Sequence, residues 1–165
     1  MTEILERLKT LTVQDAMSSE AIEIGQNESL EDSAAVMMNH HVSGLPVVDR
    51  EGRCVGMLTA YDFVRAYAAE RGSEHAGKHT GSASSVATGV DRQMTSVVQS
   101  VSKNTSLLDA ARKMCDAHIH RLPVLDGNSR VMGVITSLDI VAALANAADE
   151  QHDSPKLSQA RREIR

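Results

Sequence analysis

Apolar residues along the chain fall into two kinds of spacing. Short runs of Val, Ile and Leu are bounded by Gly, Pro or Asp, and longer stretches carry apolar residues three and four positions apart. The first kind predicts strands and the second predicts helices. Ile4, Leu5, Leu8 and Leu11 share one face of a short helix, which needs a packing partner because a free helix of that length is marginal. Ala21-Ile22-Glu23-Ile24 is a short strand. Ser29-x-x-Asp32 then starts a helix whose apolar positions are Leu30, Ala34, Met37, Met38 and His41. Leu45-Pro46-Val47-Val48 is a second strand, which the proline restricts to an edge or to its first residues. Asp49 to Gly52 turns the chain, and Cys54 to Leu58 returns as a third strand, completing a hairpin. Thr59 opens a helix carrying Phe63, Val64, Ala66 and Tyr67 and ending near Glu70.

The same order of elements then recurs. At a constant shift of 77, residues 13–64 match residues 90–141 at 19 of 52 positions without a gap. Met17/Met94, Leu30/Leu107, His41/His118, Leu45-Pro46-Val47/Leu122-Pro123-Val124 and Asp49/Asp126 are among the shared residues. Similarity at one fixed offset marks an internal duplication. A copy of about 55 residues buries little core by itself, so the two are expected to face one another about a pseudo-two-fold axis. The expected layout is an N-terminal helix (1–11), a first repeat (12–70), a flexible Gly/Ser-rich linker (71–89), a second repeat (90–148) and a charged tail (149–165). His75 and His79 have the spacing of a metal pair on a helix, but Gly77 between them favours a solvated loop.

The chemistry concentrates where Gly56-Met57-Leu58-Thr59-Ala60-Tyr61-Asp62 recurs as Gly133-Val134-Ile135-Thr136-Ser137-Leu138-Asp139. Each reads as a buried strand entering a helix. A helix start presents unpartnered N–H groups and favours negative charge. A threonine hydroxyl there can donate to a phosphate oxygen. An ionised aspartate only accepts, which suits two vicinal ribose hydroxyls. Thr-x-x-Asp is also the pattern of a capping box, in which both side chains merely satisfy the helix start. A cap can also present a ligand site.

Composition narrows the class. The chain has 165 residues and 42% hydrophobic content, enough for a packed core, but only one Phe, two Tyr and no Trp. Few aromatics argue against single-stranded nucleic acid held by base stacking, and a net charge of −5 argues against tracking a phosphate backbone. Cys54 and Cys115 have no metal-ligand spacing and read as buried, reduced thiols, which with the lack of a signal-like N-terminus favours a cytoplasmic location. No apolar run is long enough to span a membrane. Gly-x-Ser-x-Gly, the P-loop and His-Glu-x-x-His are all missing, so no catalytic residues and no enzyme activity are expected.

These motifs, in this order and twice over, resemble the CBS domain, named after cystathionine β-synthase: Met17 or Met94, the capped helix, Leu-Pro-Val-Val-Asp or Leu-Pro-Val-Leu-Asp, then Gly-x-x-Thr-x-x-Asp. The resemblance implies an α+β fold of tandem β-α-β-β-α repeats, with small mixed sheets packed between helices. Such pairs, called Bateman modules, usually dimerise and bind AMP, ADP, ATP or S-adenosylmethionine in the clefts between repeats, regulating an effector protein. It implies a homodimer, an adenosine-containing regulatory ligand and no required cofactor. It places Asp62 and Asp139 on ribose hydroxyls, Thr59 and Thr136 near phosphate, and Ile22, Ile24, Val98 and Val101 against adenine, although these four also suit ordinary core packing. His118-Ile119-His120-Arg121-Leu122-Pro123-Val124 is similar to the phosphate-contacting segment of the γ subunit of AMP-activated protein kinase. Arg121 suits phosphate through its forked donors, and His120 adds a pH-sensitive donor. The pair also fits a solvent-facing basic helix end. Repeat one has uncharged Ser43-Gly44 there, so one stronger phosphate site and one weaker or empty site are expected, and the resemblance suggests that His120-Arg121 serves the cleft built on Asp62 rather than that on Asp139. The other expectation is a ligand-free interaction scaffold in which the Thr/Asp pairs only cap.

Overall fold

The computed structural model describes residue 6, residues 9–74 and residues 89–152, with side chains as far as residues 69 and 148 in the two longest helices. Ile4, Leu5, Leu8, the His75/His79 pair and the tail from residue 153 lie outside the described residues. Residues 6, 9 and 10 are helical, and Leu11 packs on a core cluster.

The elements in order are a 3-10 turn at Val13–Asp15, β1 (Ile24–Gly25), α1 (Leu30–Asn39), β2 (Gly44–Val48), β3 (Cys54–Thr59), α2 (Ala60–Glu74), α3 (Val90–Gln93), α4 (Leu107–Ala117), β4 (Arg121–Leu125), β5 (Val131–Thr136) and α5 (Ser137–His152). The two capped helices start alike. Ser29 Oγ accepts from Asp32 N and Ser106 Oγ from Asp109 N, both at 3.0 Å, satisfying one otherwise orphaned donor in each first turn. They also end alike: His41 and His118 adopt φ of 54° and 52°, the left-handed conformation that closes a helix C-terminus.

The chain forms two units. Among the described residues, one holds Glu20–Gln99 and Leu125–Val131; the other holds those up to Ser19, Ser100–Val124 and those from Met132 onward. We call them the Asp62 unit and the Asp139 unit.

In the Asp62 unit, β1 runs parallel to β2 and β2 antiparallel to β3, with Leu45 opposite Leu58 and Val47 opposite Gly56. The core is Ile24, Leu30, Met37, Leu45, Val47, Leu58 and Val90, with Phe63 at its margin. Val90 comes from the segment that leads into repeat two. That segment is bonded here: Val90 N donates to Glu28 O at 3.0 Å, Asp91 N to Gln26 O at 3.1 Å, and Met57 and Thr95 pair in both directions.

The Asp139 unit repeats the arrangement with the segment that leads into repeat one. Val13 N donates to Thr105 O at 2.8 Å, Gln14 N to Lys103 O at 3.0 Å, and Ser18 and Val134 pair. Strands β4 and β5 form the hairpin, and a single parallel bridge, Val101 to Val124, stands where β1 stands in the other unit. Its core is Val13, Val101, Leu107, Ala110, Met114, Leu122, Val124, Ile135 and Ile140.

Several expectations need correction. Strand β2 is the central strand, and Pro46 is buried within it. The ladder tolerates proline because β1 begins only opposite Val47, so at Pro46 the strand is paired on one side alone. Helix α2 runs to Glu74, past the expected end near Glu70. The buried face of α1 is Leu30, Ser33 and Met37, whereas Met38 is 75% exposed and His41 forms the exposed turn after the helix. Val64 and Tyr67 point to solvent, and Cys115 is exposed rather than buried.

Candidate functional site

Both Thr-x-x-Asp motifs sit where a strand hands over to a helix. In the Asp139 unit, Thr136 ends β5 and Asp139 lies in the first turn of α5. Thr136 N and Thr136 Oγ1 both donate to Asp139 Oδ2 at 2.7 Å, and Asp139 N donates back to Thr136 Oγ1 at 3.2 Å. The Asp62 unit has the same core of bonds: Thr59 N and Oγ1 donate to Asp62 Oδ2 at 2.7 and 2.8 Å. The capping function is therefore present in both. The hydroxyl proton that the sequence assigns to a phosphate oxygen goes to the aspartate instead. Thr12 and Asp15 bond in the same way ahead of a turn of only three residues, so this pattern by itself marks a cap.

The aspartates differ at the other carboxylate oxygen. A carboxylate oxygen has two lone pairs, and Oδ2 spends both on threonine. Asp139 Oδ1 receives no hydrogen bond from the described residues, and Asp139 is half-buried. Asp62 Oδ1 accepts from Arg65 Nη2 at 3.0 Å, and Asp62 is only 2% exposed.

A second connection fixes the neighbourhood. Ser137 N donates to His120 O at 2.9 Å, tying the start of α5 to the residue before β4. Ala60 N donates to Ser43 O at 3.0 Å in the Asp62 unit. His120 and Arg121 thus share a unit with Thr136 and Asp139. His120 is exposed and Arg121 half-buried, and that burial pulls the Arg121 pKa down from its usual value. Arg121 already has an interaction partner in the structure.

The four apolar residues divide. Ile24 and Val101 are buried in the two cores and strand-paired, to Val47 and Val124. Ile22 and Val98 are half-buried and belong to the Asp62 unit, Ile22 packed against its core. Among the described residues, no group of three or more His, Cys, Asp or Glu could hold a metal ion.

Comparison with known proteins settles the family. The model described as "CBS domain" matches residues 13–69 and again residues 87–146. The chain belongs to the CBS domain family. Its α+β elements, duplicated across two units, have the CBS-pair fold. The CBS pair of protein MJ0100, solved in complex with 5-methylthioadenosine and S-adenosyl-L-methionine, is 26% identical, with a TM-score of 0.70 and coverage of 83% of this chain and 98% of that one. The protein CBSX2, solved in complex with AMP, is 26% identical, with a TM-score of 0.67 and coverage of 82% and 96%. A homoserine O-acetyltransferase of Methanosalsum zhilinae is 29% identical over 139 residues, 84% of this chain but 25% of that protein. The chain spans about a quarter of the length of the first curated relatives it matches.

One residue of this CBS pair was passed over in the sequence. Arg65 follows Asp62 by three positions, the spacing at which side chains meet on a helix. Read alone, the pair is an ordinary surface ion pair. The signal is its counterpart, Ala142, which leaves Asp139 without a cation three positions on.

Proposed function

We propose that this chain is a regulatory module that binds an adenosine-containing ligand (AMP, ADP, ATP or S-adenosylmethionine) and passes the bound state to a separate effector protein. The observation that carries the reading is Asp139 Oδ1. It is an acceptor held by its own cap, with neither lone pair taken by a described residue, at the start of a long helix. Vicinal ribose hydroxyls supply two donors to such an oxygen. The adenosine-containing ligands held by the similar CBS pairs support that class. Thr136 holds the carboxylate, and Arg121, in the same unit with His120 beside it, offers a guanidinium to an anionic tail of the ligand. Ile24 and Val101 serve as core, each in its own unit.

The module is non-catalytic in this reading, and the acetyltransferase activity of partly matched relatives is not carried over. It works as a homodimer. Tyr61, Val64, Leu138 and Val141 support this: they hold equivalent places in α2 and α5 and are all well exposed, Tyr61 and Leu138 at 72% and 73%. Matching apolar faces on both helices suit a self-complementary contact.

Thermal shift with AMP, ADP, ATP and S-adenosylmethionine tests the proposal. A ligand at 100 times its Kd stabilises the fold by about 2.7 kcal/mol. Asp139→Asn retains a capping oxygen and the fold but loses most of that shift. Absence of stabilisation by all four ligands leaves the scaffold reading, with the helix faces as its working surface.

A further inference from the structure

We propose that Arg65 closes the Asp62 carboxylate from within, so that each chain takes its adenosine-containing ligand at Asp139 alone. The inference rests on the adenosine reading above and adds which of the two duplicated sites is used.

The argument is a count of lone pairs and protons. In both motifs Oδ2 is filled by the threonine N–H and hydroxyl. A vicinal diol therefore has only Oδ1 to donate to. At Asp139 the described residues leave both lone pairs of Oδ1. At Asp62 one is taken by the Arg65 guanidinium at 3.0 Å. The same nitrogen, Nη2, carries a second proton, and this goes to Gln93 O at 2.5 Å. One nitrogen thus joins the first turn of α2 to the end of α3, within a single unit. The Arg65 side chain is 51% exposed and the Asp62 side chain 3%, so the carboxylate is buried while the arginine paired with it reaches solvent.

Among the described residues, the duplicate has no side chain equivalent to that of Arg65. The position equivalent to Arg65 is Ala142; the acceptor on Gln93 is a backbone carbonyl, so the missing guanidinium alone separates the two copies. A methyl group neither neutralises Asp139 nor covers it. A ligand at Asp62 would have to displace a charge-assisted bond and leave Arg65 to find another partner. A ligand at Asp139 has no such bond from the described residues to displace. The closure is also chemically specific: it takes one of the two acceptor places that a vicinal diol needs while leaving the cap, and so the fold of that unit, intact.

Equilibrium dialysis of the full chain with AMP, and separately with S-adenosylmethionine, reads the number of ligands bound. The expected result is one ligand per wild-type chain, lost in Asp139→Asn and retained in Asp62→Asn. Arg65→Ala is expected to bind two, and Arg65→Met, which keeps an apolar stem over the helix, gives the same answer if alanine perturbs folding. Two equivalent sites in the wild type, loss of binding through Asp62→Asn, or one site or none in both Arg65 variants overturns the closure while the adenosine reading stands. Failure of every form to bind either ligand overturns the adenosine reading, and the closure with it.

Discussion

Gly52 and Ser129 occupy equivalent places in the two hairpin turns, with φ of 76° and 62°. Glycine takes that conformation freely, whereas a side chain there costs roughly 1–2 kcal/mol. Nothing lies near a side chain added at Gly52, so the cost of Gly52→Ala is conformational alone: a loss of about 1 kcal/mol in chemical denaturation. Ser129→Gly is expected to move stability the other way by up to about 1 kcal/mol, because the turn already has a glycine's geometry. Gly133 is held by a different constraint. A Cβ there would sit 2.5 Å from the Ser18 carbonyl oxygen, which belongs to the paired backbone. Gly133→Ala should therefore cost about 1–3 kcal/mol, as overpacking does. The glycines at these places were plain in the sequence, whereas the partner atom 115 residues away (133 less 18) was not. Close approach is a property of the folded pair of strands, and no local pattern encodes it.

Elements were legible where a local rule decides them. Ser29 and Ser106 are followed three residues later by Asp32 and Asp109, and both helices begin at the serine. Ser29→Ala and Ser106→Ala should each cost about 1 kcal/mol, measured by denaturation, since each removes the same 3.0 Å bond. What local rules missed was decided by packing. The apolar spacing of α1 admits Met38 on its inner face, yet Ser33 takes that place, its hydroxyl satisfied by Ser29 O at 2.8 Å. Pro46 fits a central strand only because β1 is two residues long. The turns also give the fold an acid limit. The backbone N–H of Arg53 holds Asp49 below its ordinary pKa of 3.8, and the backbone N–H of Thr12 does the same for Asp15. A carboxylate whose folded pKa is depressed stabilises the fold above the unfolded value, and that contribution disappears as pH falls through the folded value. Stability should therefore be flat in this respect above about pH 5 and decline below 3.8, with Asp49→Asn flattening part of the decline in acid denaturation.

At the scale of the whole molecule, the duplication was readable as an offset of 77, but its use was not. Each unit is completed by the segment that leads into the other repeat: Val90 fills the core of the Asp62 unit and Val13 that of the Asp139 unit. The candidate site was legible in the same measure. Thr59, Asp62, Thr136 and Asp139 could be named from spacing, whereas the difference between the two aspartates depends on Arg65 reaching a carbonyl 28 residues on. A fragment ending near residue 80 lacks Val90 and both Thr95 bonds, so it should show no cooperative unfolding transition alone. Mixing it with the remainder of the chain should restore one, as circular dichroism would register. Neither copy is therefore a self-sufficient piece of inheritance. A gene encoding just one of them could finish its product only by borrowing the missing strip from a second molecule, and fusing two such genes would turn that loan between molecules into a permanent exchange inside one.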